Sequence, residues 1–221
     1  MPRIGLIVPS SNTVMEPDFH RHFKPPNLVS TTRIFLEDVT REAEIDMLEK
    51  ELPRAVRLIR TTAPDVVVFG CTSAGALATL SHDDGIGRVI EQETGAGAIT
   101  VLGAVLTQLR LLRPSKDAVF TPYVPDLTAG VARCVAEDGH TVVKSVGMGI
   151  VKNLDIGQVT PEEIVKFVES QMAGIDADCV FLSCTNWRAI EAIEPLKEKM
   201  RLPVISSNQA AIDAVVAFRK P

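Results

Sequence analysis

The chain has no run of about 18 or more consecutive apolar residues, and its opening MPRIGLIVPSSN lacks a basic stretch leading into a long apolar segment and a cleavage site. Neither a membrane span nor a secretory leader is expected, so the expected location is the cytoplasm. No CxxC pair and no Cys/His set stands at metal-site spacing, and a chain of 221 residues does not depend on disulfide staples. Cys71, Cys134, Cys179 and Cys184 therefore read as free thiols. Lys and Arg are scattered within a net charge of -5, with no basic stripe, which argues against nucleic-acid binding. The glycines of GIGRVIEQETGAG do not form the ordered phosphate fingerprint after a strand. His20 and His22, two apart, point to different faces of any helix and have no carboxylate or cysteine at metal spacing, so they read as surface residues. Asp and Glu fall mainly on helix faces, and no carboxylate acid/base pair is indicated.

What is present is 46% apolar residues against 23% charged, arranged as strand-length apolar runs alternating with segments of helical spacing. That alternation predicts βα units around parallel sheets. Strands are expected at RIGLIV, VSTTRIFL, VVVFG, AITVLG, DAVFTPY, HTVVKSVGMG, DCVFLS and PVISS. A helical stripe of Ile45, Leu48, Leu52, Val56 and Ile59 begins after Thr40, with Glu42 and Glu44 suiting its N-terminal dipole, and Pro53 should kink or split it. Thr160, Pro161 and Glu163 make an N-cap, first-turn proline and capping box. Helices are expected over 104–112, over 127–139 with a stop at Gly139, over 188–200, and over 208–219.

The two halves look like copies. Cys71 follows Pro9 by 62 residues (71 minus 9), and Cys184 follows Pro122 by 62 (184 minus 122). The expected architecture is α/β, with two flavodoxin-like lobes related by a pseudo-twofold axis: residues 1–112, joined by helix 208–219, and residues 113–207.

In open parallel sheets, ligands bind beyond the carboxyl ends of the strands. Five polar clusters fall at such ends: Pro9-Ser10-Ser11-Asn12, Cys71-Thr72-Ser73, Pro122-Tyr123, Cys184-Thr185-Asn186 and Ser206-Ser207-Asn208-Gln209. Hydroxyls, amides and helix N-termini with few charges suit a small carboxylate, although the same residue types also serve as helix caps. A thiol at a helix N-terminus should have a lowered pKa and act as nucleophile or base, which singles out Cys71 and Cys184. Cys134, on an apolar helix face, and Cys179, inside a strand, read as packing residues. Trp187 stands either at the cleft wall or in the core.

GLIVPSSNTVMEP, GCTSAG, TPY, VKNLDIG, SCTNWR and LPVISSNQA together resemble the maleate cis-trans isomerase and arylmalonate decarboxylase branch of the aspartate/glutamate racemase superfamily, over nearly the whole chain. The resemblance implies a two-lobed, cofactor-free enzyme that commonly pairs as a homodimer. It places the nucleophile at Cys71, the second cysteine at Cys184, and substrate-holding groups at Asn12, Tyr123 and Asn153. Ser11, Thr72, Ser73 and Thr185 join the candidate site from their strand ends. The isomerases of this branch tend to carry ACLVA-like and CVQMPS-like stretches where this chain has GCTSAG and SCTNWR, and those differences bear on the substrate more than on the chemistry. Cis-trans isomerisation of maleate or a related dicarboxylate is the leading expectation. Racemisation, decarboxylation and simple carboxylate binding stay open in that order.

Overall fold

A computed structural model describes residues 2–26 and 28–219. The first sheet holds β1 (Arg3–Pro9), β2 (Leu28–Ile34), β3 (Val66–Phe69) and β4 (Gly97–Thr100), and the second holds β5 (Asp117–Thr121), β6 (Val142–Gly147), β7 (Cys179–Leu182) and β8 (Val204–Ser206). All pairings are parallel, and the orders β2-β1-β3-β4 and β6-β5-β7-β8 are the same order written twice. The central strands are apolar on both faces because helices cover both: β3 and β5 are buried along their whole lengths.

The first lobe carries α1 (Met15–His22), α2 (Arg41–Asp46), a π-helical turn (Met47–Glu51), α3 (Leu52–Arg60), α4 (Thr72–Gly75), α5 (Leu80–Thr94) and α6 (Val101–Leu112). The second carries α7 (Pro125–Glu137), α8 (Asn153–Gln158), α9 (Pro161–Met172) and α10 (Ala189–Met200), and α11 (Ser207–Ala217) follows β8. Ala211, Ile212 and Val215 of α11 pack into the cluster formed by Ile4, Leu6, Val66 and Val68, so the last helix buries its apolar face on the first sheet. None of the described helices is long and apolar enough to cross a membrane.

Local sequence explains most boundaries. Thr160 and Glu163 form the expected capping box, with bonds of 2.8 and 3.2 Å. Gly139, at φ +94°, takes the left-handed conformation that ends α7. Two expectations need correction. AITVLG is strand only to Thr100, because the Thr100 hydroxyl accepts the Gly103 N–H at 3.1 Å and starts α6 there. The stripe holds at Leu52, Val56 and Ile59, which are buried, and at Leu48, which is half-buried, but its start is displaced: Ile45 is exposed, and Glu44 and Met47 are buried instead. Pro53 splits the helix as expected, but through a π-helical turn, whose extra residue rotates the buried face by about 100°. The helix α5 and the short α1 and α8 lay outside the expected elements.

Candidate active site between the lobes

In each sheet the chain runs one way from the first strand to the second and the other way to the third, so the switch point lies between β1 and β3, and between β5 and β7. Asn12 and Cys71 stand beyond the first pair, Tyr123 and Cys184 beyond the second. All four line one small cavity of about 10 Å³ with Pro9, Leu36, Val39, Glu44, Ser73, Asn153 and Thr185. That volume holds at most about one water. Larger clefts exist, including one of about 490 Å³ between α6, α10 and α11, but it contains neither thiol.

Hydrogen bonds across the lobes frame the cavity. Asn12 Nδ2 donates to Thr185 Oγ1 at 3.0 Å, and Thr185 Oγ1 donates to the Gly70 carbonyl at 2.9 Å. Asn12 Oδ1 accepts the N–H groups of Val14 and Met15, both at 3.0 Å, closing a turn just ahead of α1. Asn153 Nδ2 donates to Ser11 Oγ at 2.9 Å, while Asn186 Oδ1 accepts the Thr13 N–H at 2.8 Å and Asn186 Nδ2 donates to the Asn153 carbonyl at 2.6 Å. Gly157 permits this approach: a Cβ there would lie 2.5 Å from Thr13 Oγ1 and 3.1 Å from Asn186 Oδ1.

The expected site residues divide accordingly. Cys71, Cys184, Asn12, Ser73, Tyr123, Asn153 and Thr185 reach the cavity; Ser11 and Thr72 do not line it. Ser11 bonds to the Leu36 carbonyl and supports Asn153, and Thr72 Oγ1 donates to Ser207 Oγ at 2.9 Å. The fifth cluster is structural too, with Ser206 capping Gln209 at 3.2 Å and Asn208 Nδ2 reaching Asp18 at 2.7 Å and the Thr185 carbonyl at 3.0 Å. Trp187 is a core residue, fully buried and edge-on to Phe167. Cys134 and Cys179 are buried away from the cavity, and all four cysteines are free. His20 and His22 are exposed, and among the described residues no three His, Cys, Asp or Glu side chains group as a metal site requires.

Glu44 was missed. It is wholly buried in the cavity wall, where Oε1 accepts a bond from the Ser73 hydroxyl and the Cys71 thiol lies 3.8 Å away. No sequence pattern marks it, because the π turn that brings it inward also carries Ile45 outward. Burial outweighs those bonds and pushes its pKa up to about 8.

The expected lowering of the thiol pKa values is reversed. Burial, followed by the Glu44 carboxyl, holds Cys71 well above the ordinary thiol value against the Ala74 N–H and the Ser73 hydroxyl. α4 is a single turn with little dipole to offer. Burial pushes Cys184 up to about 12, despite bonds from the Tyr123 hydroxyl and the N–H groups of Asn186 and Trp187. The Asn186 N–H reaches Cys184 Sγ at 3.2 Å. Burial, with the two thiols next, also raises the pKa of the Tyr123 phenol. At rest the cavity holds two protonated thiols and a neutral phenol.

A family model for arylmalonate decarboxylase matches residues 4–220. The chain belongs to that family. A maleate isomerase of Geobacillus stearothermophilus is 28% identical over 95% of this chain and 88% of its own length, and an arylmalonate decarboxylase of Bordetella bronchiseptica is 27% identical over 97% and 89%. The fold matches the maleate-bound alanine variant of maleate isomerase from Pseudomonas putida S16, with a TM-score of 0.88 and 24% identity over 97% of this chain and 90% of that one. It also matches a serine variant of the Nocardia farcinica maleate cis-trans isomerase with a covalently bound succinylcysteine intermediate, with a TM-score of 0.86 and 23% identity over 97% and 91%. Two parallel four-stranded sheets in a two-lobed α/β fold are thus the family's architecture.

Proposed function

We propose that this member of the family is an isomerase that interconverts maleate, or a related small cis-butenedioate, with its trans isomer by reversible addition of Cys71. The observation that carries the proposal is the pair of thiols, one from each lobe, lining a single cavity with no Lys, Arg or His among its described residues. Rotation about a carbon–carbon double bond requires that the bond become single for a time. The Cys71 sulfur bonds to one alkene carbon and the displaced electron pair moves toward the neighbouring carboxylate. Cys184 gives its proton to the other carbon, and the proton released by Cys71 restores the Cys184 thiol, so the net change is addition of S–H across the alkene. Rotation of the succinyl adduct and the reverse transfers release the trans acid.

Asn12 and Asn153 each commit one Nδ2 hydrogen to a partner across the lobes and keep the other for a substrate carboxylate. Tyr123, Ser73 and Thr185 add hydroxyls to the same wall, where fixed donors stabilise the charge that develops during addition. Ser11 and Thr72 act one layer behind, as supports. Four maleate isomerases, 23% to 28% identical to this chain, support this reading, as does the succinylcysteine intermediate bound in the Nocardia farcinica enzyme. Proton NMR of the protein with maleate in deuterated buffer tests it: a fumarate signal is expected, and unchanged maleate refutes it.

The facing thiols also suit two-base racemisation, in which one removes a proton from a carbon acid and the other returns it from the opposite side. That reading requires deuterium exchange into single enantiomers of glutamate, aspartate or a hydantoin. Carbon dioxide release from phenylmalonate would instead mark decarboxylation.

A further inference from the structure

Glu44 has no part in the addition chemistry above, yet among the described residues it is the one acid in the cavity wall. Its Oε1 is occupied by Ser73 and Cys71, and its Oε2 is buried with no hydrogen-bond partner among the described residues. A carboxylate oxygen left in that state is costly, whereas a carboxylic acid in the same place holds an unused O–H donor. The surroundings favour the acid. Cys71 and Ser73 face Glu44 from the junction of β3 and α4, and Cys184 and Tyr123 lie near it from the second lobe, all of them uncharged. Arg41, one turn earlier on α2, favours the ionised form, but it is exposed, its guanidinium donates to the Leu77 carbonyl at 2.7 Å, and burial of Glu44 outweighs it.

We infer that Glu44 binds the substrate as a neutral acid, its Oε2–H donating to one substrate carboxylate, so that a single proton is shared between the wall and the ligand. The inference rests on reading the cavity as a small-carboxylate site. Without a lysine or arginine in the wall, an ionised Glu44 would set anion against anion; the protonated form removes that repulsion and supplies a donor. Burial that lifts the Glu44 pKa to about 8 keeps the acid form at neutral pH. The sign follows directly: above about pH 8 the wild-type protein must take up a proton to bind, and affinity falls as pH rises.

Succinate is the probe, since it has two carboxylates and no double bond to isomerise. Calorimetric titrations from about pH 7 to about pH 9.5 keep its own carboxyls ionised throughout. Wild type is expected to lose about tenfold in affinity per pH unit above about 8, with proton uptake visible as a heat that changes with the buffer's ionisation enthalpy. Glu44→Gln keeps an N–H donor and should bind within roughly threefold of wild type at neutral pH, with no alkaline loss and no proton uptake. Glu44→Leu should weaken binding about tenfold or more at neutral pH. If Glu44→Leu fails to fold, Glu44→Gln alone decides. An alkaline loss that persists in Glu44→Gln, or no binding of succinate to wild type, overturns the inference. Wild type that shows this profile yet leaves maleate unchanged upholds it and refutes the isomerase reading. Conversion of maleate with succinate affinity independent of pH does the reverse.

Discussion

Beyond the first strand of each sheet the cavity receives Asn12 from one lobe and Tyr123 from the other; beyond the second, Glu44 and Asn153; beyond the third, Cys71 and Cys184. Repeated topology explains why two thiols meet, and the neighbours explain why they need not do the same work. Cys184 is surrounded by three donors, the Tyr123 hydroxyl and the Asn186 and Trp187 amides, whereas Cys71 has two, the Ala74 amide and the Ser73 hydroxyl, with the carboxyl of Glu44 beside it. Under the proposed mechanism, the carboxyl beside Cys71 would leave a sulfur anion there less stabilised and so more nucleophilic, while the donors around Cys184 would suit a group that gives and regains a proton.

The largest test of this difference exchanges the thiols one at a time. Cys71→Ser should lower turnover by about 10⁴-fold or more and abolish any adduct, while Cys184→Ser should cost about 10² to 10⁴-fold and leave a succinyl adduct on Cys71 in the mass spectrum. An adduct on Cys184 in the Cys71→Ser protein would exchange the roles.

A second test compares Glu44 with Asn153, its topological counterpart. The unfolded carboxyl ionises near 4.5 and the folded one near 8, so the native state holds more protons between those values and stability falls as pH rises through that window. Glu44→Gln should therefore stabilise the protein by up to about 3 kcal/mol at pH 7 and by nearly nothing below about pH 4 in denaturant titrations. Asn153→Ala, which removes the bond to Ser11 across the lobes, should destabilise by about 1 kcal/mol at every pH.

A third test concerns the seam. Gly157→Ala places a methyl against Thr13 and Asn186 and should cost about 1–3 kcal/mol in thermal unfolding. Gly95→Ala, with nothing near its Cβ but φ at +68°, separates backbone strain from lobe contact and should cost about 1 kcal/mol.

Much of the arrangement was legible in the sequence for physical reasons. Strands such as VVVF and CVFL are uniformly apolar because both faces are covered, and polar residues begin where the chain leaves the sheet. Those transitions marked Asn12, Cys71, Tyr123 and Cys184. They did not distinguish residues that face the cavity from those that tie the lobes behind it, because a serine that caps, one that bridges and one that lines a pocket have the same local pattern. Thr72 and Ser73 are adjacent; one bonds α11 and the other Glu44. The short α1 and α8 carry too few turns to show a helical period.

The sequence by itself determined the alternation of strands and helices, the duplication, and the placing of a cysteine at the end of the third strand in each half, because these follow from apolar period and chain spacing. Tertiary structure alone decided the charge state and company of those cysteines. Burial between the lobes costs an ion its hydration and so raises both thiol pKa values. One extra residue in a helical turn brought Glu44, which reads locally as a surface residue, into the cavity beside Cys71.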